Sequence, residues 1–285
     1  MMYRSQVTWQ HNRFDAAANP LRARLATGAR SRGLAQKGKP AILWVVADSR
    51  HQPTVRPQRL ALGVLTRVPV AGAVKRHLSP PLSPQRAAEL SAALLADLLG
   101  VLTLLPMGYR ALLCDSEAAR DTLKNNLPPR WQAAAINETA LDRQIAKGLD
   151  HLYATGVEAA GIVTSDSPFV SLDEIYEGLM WLTKRRGLLL GPTTTGSLYF
   201  VAMSHAEPAL FDGVDWTSPG VVKRLEQRAK DLKIETQTLS QVAEVETKDE
   251  LIRFVKDVRS GTNKPIGGLP ACTALLNAPD FAKLG

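Results

Sequence analysis

The sequence predicts an α/β fold in which a mainly parallel sheet is covered by helices on both faces. Three observations lead there. Short apolar runs of strand length, such as Leu60-Ala61-Leu62-Gly63-Val64-Leu65 and Ala159-Ala160-Gly161-Ile162-Val163-Thr164, alternate with segments whose apolar residues recur at helical spacing. The connections between runs are of crossover length, which parallel strands require. Finally, 285 residues of 45% hydrophobic composition can close one large core or two small ones. Cys114 and Cys272 lie far apart and suggest reduced thiols in a cytoplasm, not a disulfide framework or a zinc site.

Charge separates the start of the chain from the rest. The formal net charge is +8, yet residues 1–40 hold eight Lys/Arg and a single acid, Asp15, which leaves the remainder nearly neutral. A nucleic-acid-binding core would carry its basic residues along one face of the fold, so this distribution argues against one. Residues 1–40 read as a mobile tail, as an arm touching an anionic partner, or as a segment resembling a transit peptide. Ala41 to Ala47 is a strand candidate and Asp48 to Arg59 a linker, so residues 1–57 form an extension. No apolar run reaches the roughly 18 residues that span a bilayer. The longest, Leu94 to Met107, is interrupted by Asp97 and Pro106 and reads as a buried helix.

The elements follow from local signals. Leu60 to Leu65 is a buried strand, followed by a turn-rich cationic loop with Arg67, Pro69, Gly72, Lys75, Arg76 and His77. Ser83 caps a helix with Pro84 at its first position and Ala87, Leu90, Leu94 and Leu98 along it. Tyr109 to Cys114 is the next strand, and Ser116 caps a helix over Glu117 to Leu127. Trp131 to Ile136 is a short-strand candidate, and Asn137 caps a helix from Glu138 to Thr155. Ala159 to Thr164 is a strand ending in Ser165-Asp166-Ser167-Pro168, and Ser171 starts a helix over Leu172 to Arg185. Strands at Leu188 to Leu190, Leu198 to Met203 and Ile234 to Leu239 are joined by helices around Ala206 to Phe211 and over 218–232. A helix from Lys248 to Val258 closes a domain at 58–258, and the Gly/Pro-rich residues 259–285 read as an irregular tail.

The strand, basic loop and helix between Leu60 and Leu90 have the layout of a phosphate cradle, although they match neither a P-loop nor GxGxxG. A solvated loop is the alternative. The stretch PVAGAVKRHLSPPLSPQRAAEL resembles the opening motif of a bacterial family of GT-A-type transferases. These are glycosyltransferases of the radical-SAM/selenodomain-associated type, related to sugar and molybdopterin nucleotidyltransferases. Pro69, Gly72, Val74, Lys75, Leu78, Pro80, Pro81, Leu82 and Pro84 match its pattern, approximately PxPGxVKTRLxPPLxPxxAAxL, with Arg76-His77 in place of Thr-Arg. The resemblance extends from about Leu60 to Val258 and implies a GT-A-like three-layer sandwich. It also implies that Arg67, Gly72, Lys75 and Arg76 bind the phosphates of a nucleotide or nucleotide-sugar donor.

Asp166 stands at the carboxyl end of a strand, where open α/β sheets bind ligands. Locally it either holds Mg²⁺ or Mn²⁺ or bonds turn amides before Pro168. TSDSPFVS resembles the family's GSDSPxLx, which implies the metal. Val245 to Leu251 resembles VDTPEDL, with Glu246 as the second metal ligand or a residue beside a Thr247 cap. GPTTTGSLYFVAM resembles GPxxDGGYYLxGL and keeps Gly191, Pro192, Gly196 and Tyr199, but Thr195 replaces the aspartate and weakens the cation site. The family's QGxGDLGxRM is reduced to Glu138 to Gln144. Residues 211–222 resemble LFxxxxWSTxxV, and the two motifs together imply that Gly196, Tyr199, Asp215 and Trp216 line the substrate pocket, against which stands a buried core role for Trp216.

The resemblance thus implies a glycosyl- or nucleotidyltransferase with a divalent cation, a nucleotide donor and a small-molecule acceptor. The competing expectation is a relative that kept the fold and lost catalysis, acting as a binding or scaffold protein. Thr195 and the reduced Glu138 motif favour the latter, intact Lys75 and Asp166 the former.

Overall fold

The computed structural model describes residues 59–216, 220–262 and 265–284, so the expected extension and its strand at 41–47 lie outside the described residues. One sheet holds β1 (Leu60–Thr66), β2 (Tyr109–Cys114), β3 (Gln132–Ala135), β4 (Ala159–Thr164), β5 (Gly187–Pro192), β6 (Leu198–Met203) and β7 (Glu235–Thr238). Their order is β3-β2-β1-β4-β6-β5-β7. β1 runs parallel to both β2 and β4, β3 parallel to β2, and β7 parallel to β5. β6 is antiparallel to β4 and β5 because residues 193–197 are too few for a crossover and make a hairpin.

The helices are α1 (Pro84–Leu102), α2 (Glu117–Leu123), α3 (Leu141–Tyr153), α4 (Leu172–Leu182), α5 (Pro208–Phe211), α6 (Val221–Asp231), α7 (Lys248–Ser260), α8 (Pro270–Leu276) and α9 (Pro279–Ala282). Alternation along β1 divides them between two faces. Leu60, Leu62 and Val64 pack in one cluster with Leu98 and Leu102 of α1 and Ile175 and Leu179 of α4. Ala61 and Leu65 point the other way, toward Ile145 and Leu149 of α3 and Leu225 of α6. The outcome is a three-layer sandwich with crossover helices on both faces.

Ser83, Ser116, Ser171 and Thr247 each accept a backbone N–H from three residues on, so the expected caps are real. Asn137 is not a cap: it takes a left-handed φ of 51°, and α3 starts only at Leu141, from Ala140. The described residues beyond 259 are not an irregular tail either. α7 continues to Ser260, and α8 and α9 follow, each with a proline at its start. Cys272, Leu276 and Phe281 find apolar cover against Leu90 and Leu94 of α1 and Phe254 of α7, which gives these short helices a reason to form. Asp97, which looked like an interruption of an apolar run, accepts the N–H groups of Ala271 (2.9 Å) and Cys272 (2.8 Å) and caps α8. Past the end of α1, buried Arg110 donates to the carbonyls of Thr103 and Leu105. Among the described residues no helix is long and apolar enough to cross a membrane.

Candidate functional site

β1 and β4 are neighbours whose onward connections leave in opposite directions across the sheet, so a crevice opens at their carboxyl ends. Three segments meet there: the loop after β1 with Lys75, the turn after β4 with Asp166, and the stretch between β7 and α7 with Glu244 and Glu246. Hydrogen bonds from Val245 N to Asp166 O (3.1 Å) and from Thr194 N to Val242 O (3.0 Å) lay that stretch across the strand ends. Val242 and Val245 are buried and anchor it, while the glutamates on either side of Val245 are only half-buried.

Lys75 takes a left-handed backbone conformation (φ 46°, ψ 41°) that directs its side chain inward from the loop. Its Nζ donates to Asp166 Oδ1 (2.6 Å), Glu246 Oε1 (2.8 Å) and the Val245 carbonyl (2.8 Å). An ammonium has three N–H groups, and all three are engaged. The side chain is 2% exposed, against 33% for Asp166 and 37% for Glu246, so the carboxylates face the crevice with the lysine beneath them. Burial alone would lower the Lys75 pKa, but the charges and hydrogen bonds of Asp166 and Glu246 outweigh it and raise it. Burial raises the Glu246 pKa, and the Asp166 and Glu244 charges add to this against the opposing pull of Lys75.

Glu244 is the residue that sequence reading missed. Its Oε2 accepts from Ser197 Oγ (2.8 Å) and Thr195 Oγ1 (3.1 Å) in the β5–β6 turn. Thr193, fully buried, ties that turn together through hydroxyl contacts to Thr195 (2.8 Å) and Ser197 (2.7 Å). A carboxylate therefore does reach the place where the family pattern has its aspartate, brought from the far side of β7. Burial raises the Glu244 pKa; the hydroxyls of Ser197 and Thr195 pull against this, and the Asp166 charge adds to it. The available signal was that Glu244 and Glu246 flank a buried valine just before a capped helix.

Asp166 and Glu246 are hard oxygen donors that suit a divalent cation. The space between them, however, holds the Lys75 ammonium. Among the described residues no three Asp, Glu, His or Cys side chains converge to hold a metal.

The other expected site residues divide. Arg67 lines an open cleft of about 540 Å³ together with Val68, Val70, Asp115, Ser116 and Thr139, beside the Lys75 loop. Gly72 has φ 76° and an exposed backbone, and Arg76 is exposed in the short 3-10 turn after Lys75. Lys75 itself has its three N–H groups engaged by Asp166, Glu246 and the Val245 carbonyl. Gly196 (φ 91°) sits at the open tip of the β5–β6 turn beside Glu244's partners. Tyr199 and Trp216 are not pocket walls but core, 0% and 5% exposed, because their aromatic rings fill the two layers flanking the sheet. Asp215 is exposed, its carbonyl accepting from Arg224 (3.0 Å).

The family described as "Uncharacterized protein conserved in bacteria (DUF2064)" matches residues 99–218, less than half of the chain. A solved structure described as a candidate nucleotide-diphospho-sugar transferase from Desulfovibrio desulfuricans G20 superposes with a TM-score of 0.65 at 19% identity, covering 79% of this chain and 93% of that one. A cytidylyltransferase from Leptospira borgpetersenii gives a TM-score of 0.47 at 11% identity over 76% of this chain and 93% of that one. No curated protein sequence matches the chain. The Desulfovibrio likeness shows the fold, the GT-A-like sandwich expected from the sequence.

Proposed function

We propose that the protein is a nucleotide-dependent transferase of glycosyl or nucleotidyl groups. The observation that carries this reading is that one loop, residues 67–78, borders both the 540 Å³ cleft and the Lys75–Asp166–Glu246 cluster at the carboxyl ends of β1 and β4. The cleft has apolar walls, Val68, Val70 and Ala118, for a nucleoside and polar groups, Asp115 and Ser116, for its hydrogen-bonding edges. Exposed Arg67 and Arg76 stand ready for the phosphates, with the bidentate geometry that guanidinium offers. The acceptor would lie by Gly196, against the hydroxyls of Thr195 and Ser197.

In the transfer step the acceptor's hydroxyl oxygen bonds to the transferred carbon or phosphorus, and the bond from that atom to the leaving phosphate breaks. The hydroxyl proton passes to the ionised carboxylate of Glu244, which its burial makes a stronger base than an exposed glutamate. The leaving phosphate takes up its charge beside Arg67 and Arg76. The protein supplies position and fixed charge, not a covalent intermediate.

A second reading, a binding protein without catalysis, is favoured by one observation: all three donors of Lys75 are already committed within the protein. Calorimetric titration with nucleoside triphosphates and nucleotide sugars separates the two. The transferase reading expects saturable binding by at least one nucleotide, weakened about tenfold (~1.4 kcal/mol) by Arg67→Ala through loss of one charge-assisted phosphate contact. No binding across the panel by folded protein would leave the non-catalytic reading.

A further inference from the structure

The ammonium of Lys75 occupies the position between Asp166 and Glu246 that a small bound cation would take. It is a positive charge in contact with one oxygen of each carboxylate, at 2.6 and 2.8 Å, and with a backbone carbonyl at 2.8 Å. Three oxygens from three different residues around one small cation is the kind of shell that hard metals also take. The carboxylates are brought together by the backbone as well as by the lysine, since the Val245 N–H bonds the Asp166 carbonyl at 3.1 Å. Lys75 reaches them only because its own backbone adopts φ 46°, an uncommon conformation for a residue with a side chain. Swinging the lysine out toward a ligand would break three hydrogen bonds and leave two neighbouring carboxylates uncompensated.

We infer that Lys75 is a resident internal cation, which fills the place between Asp166 and Glu246 so that this site operates without a divalent metal. The inference concerns what neutralises the carboxylates and holds whichever ligand the crevice takes, so it goes beyond the transferase reading. A lysine tethered by the chain cannot be lost to a chelator, and its charge of one leaves the carboxylates with net negative charge on their exposed side. With Glu244 close by, that side suits the hydroxyls of an acceptor, which donate to carboxylates, better than the phosphates of a donor.

The test uses Mn²⁺ alone, without nucleotide, so that its failure is distinct from failure of the nucleotide panel. Full-length wild type is expected to show no saturable Mn²⁺ binding by calorimetry and the same melting temperature in EDTA as in Mn²⁺. Lys75→Met, which opens the position, is expected to bind Mn²⁺ at least about tenfold more tightly than wild type. Its melting temperature should rise with Mn²⁺, and adding Asp166→Asn and Glu246→Gln should abolish both effects. Lys75→Gln provides the same arm if the methionine variant does not fold. Stoichiometric Mn²⁺ binding by wild type that Asp166→Asn removes overturns the inference, whatever the Lys75 variants do. So does a folded Lys75 variant that binds Mn²⁺ no better than wild type.

Discussion

Glu244 is kept in a setting that disfavours its charge. Burial holds its pKa above the ordinary carboxylate value of 4.5, the Asp166 charge adds to this, and the hydroxyls of Ser197 and Thr195 offset only part. A raised carboxylate pKa means the folded state prefers the proton, so the ionised group costs stability above its folded pKa, and that cost fades as pH falls toward 4.5. Glu244→Gln should therefore raise the melting temperature at pH 7, with the gain shrinking as the buffer is acidified through the carboxylate range. Scanning calorimetry at several pH values measures it, and a variant no more stable at pH 7 would remove the case for strain at this carboxylate. Such a stability cost is common where a charge is retained for function, so the same variant should lose transfer activity. Lys75 behaves in the opposite sense. Its raised pKa gives stability that is complete below the ordinary lysine value of 10.5 and lost as pH climbs through the folded value. Lys75→Met should cost about 2 kcal/mol in chemical denaturation at neutral pH. That is less than the 3–5 kcal/mol of a fully buried pair, because its two partners are each about a third exposed.

At the scale of elements, the antiparallel β5–β6 hairpin leaves no room for a side chain at Gly191. A methyl group added at Gly191 would lie 2.7 Å from Phe200 Cβ and 2.7 Å from the ring of Tyr199, which cannot both retreat inside a filled layer. Gly191→Ala should cost about 1–3 kcal/mol by urea denaturation and loosen the turn that carries Thr195 and Ser197. This explains why Gly191 and Tyr199 occur together: they are matched partners in the core, and a motif match alone could not tell that from a shared pocket. Much of the fold was legible because β2, β4 and β6 are mostly apolar runs bounded by turn residues, and their predicted limits coincide with those observed. α8 and α9 were not legible, since each is at most two turns long and owes its order to cover from elements distant in sequence, α8 also to Asp97. Lys75, Asp166 and Glu246 could be singled out because each belongs to a local motif. Their mutual contact could not, because it depends on where three separate loops end. Glu244 carries no motif, and its role comes entirely from the hairpin turn it meets.

Across the whole molecule, the two thiols report on different layers. Cys114 ends β2 inside the sheet; burial, with the Asp115 charge adding, pushes its pKa up to about 12. Cys272 lies in α8 between α1 and α7, its thiol pushed well above the ordinary value by burial and then by Asp97. Only a thiolate attacks a disulfide reagent, so neither cysteine should react in the native protein at neutral pH. They should differ once denaturant is added. α8 is a two-turn helix held by apolar contacts on one side and by the Asp97 cap, whereas Cys114 is exposed only when the central sheet opens. Local opening of the weaker unit should precede global unfolding, as expected when stability is unevenly spread. Below the main transition, pulse labelling read by mass spectrometry should modify Cys272 while Cys114 stays protected. Asp97→Ala, which strands the Ala271 and Cys272 N–H groups at a cost of about 1–3 kcal/mol, should speed labelling of Cys272 and leave that of Cys114 unchanged. Equal acceleration at both thiols would mean that the C-terminal helices and the sheet unfold as one cooperative unit.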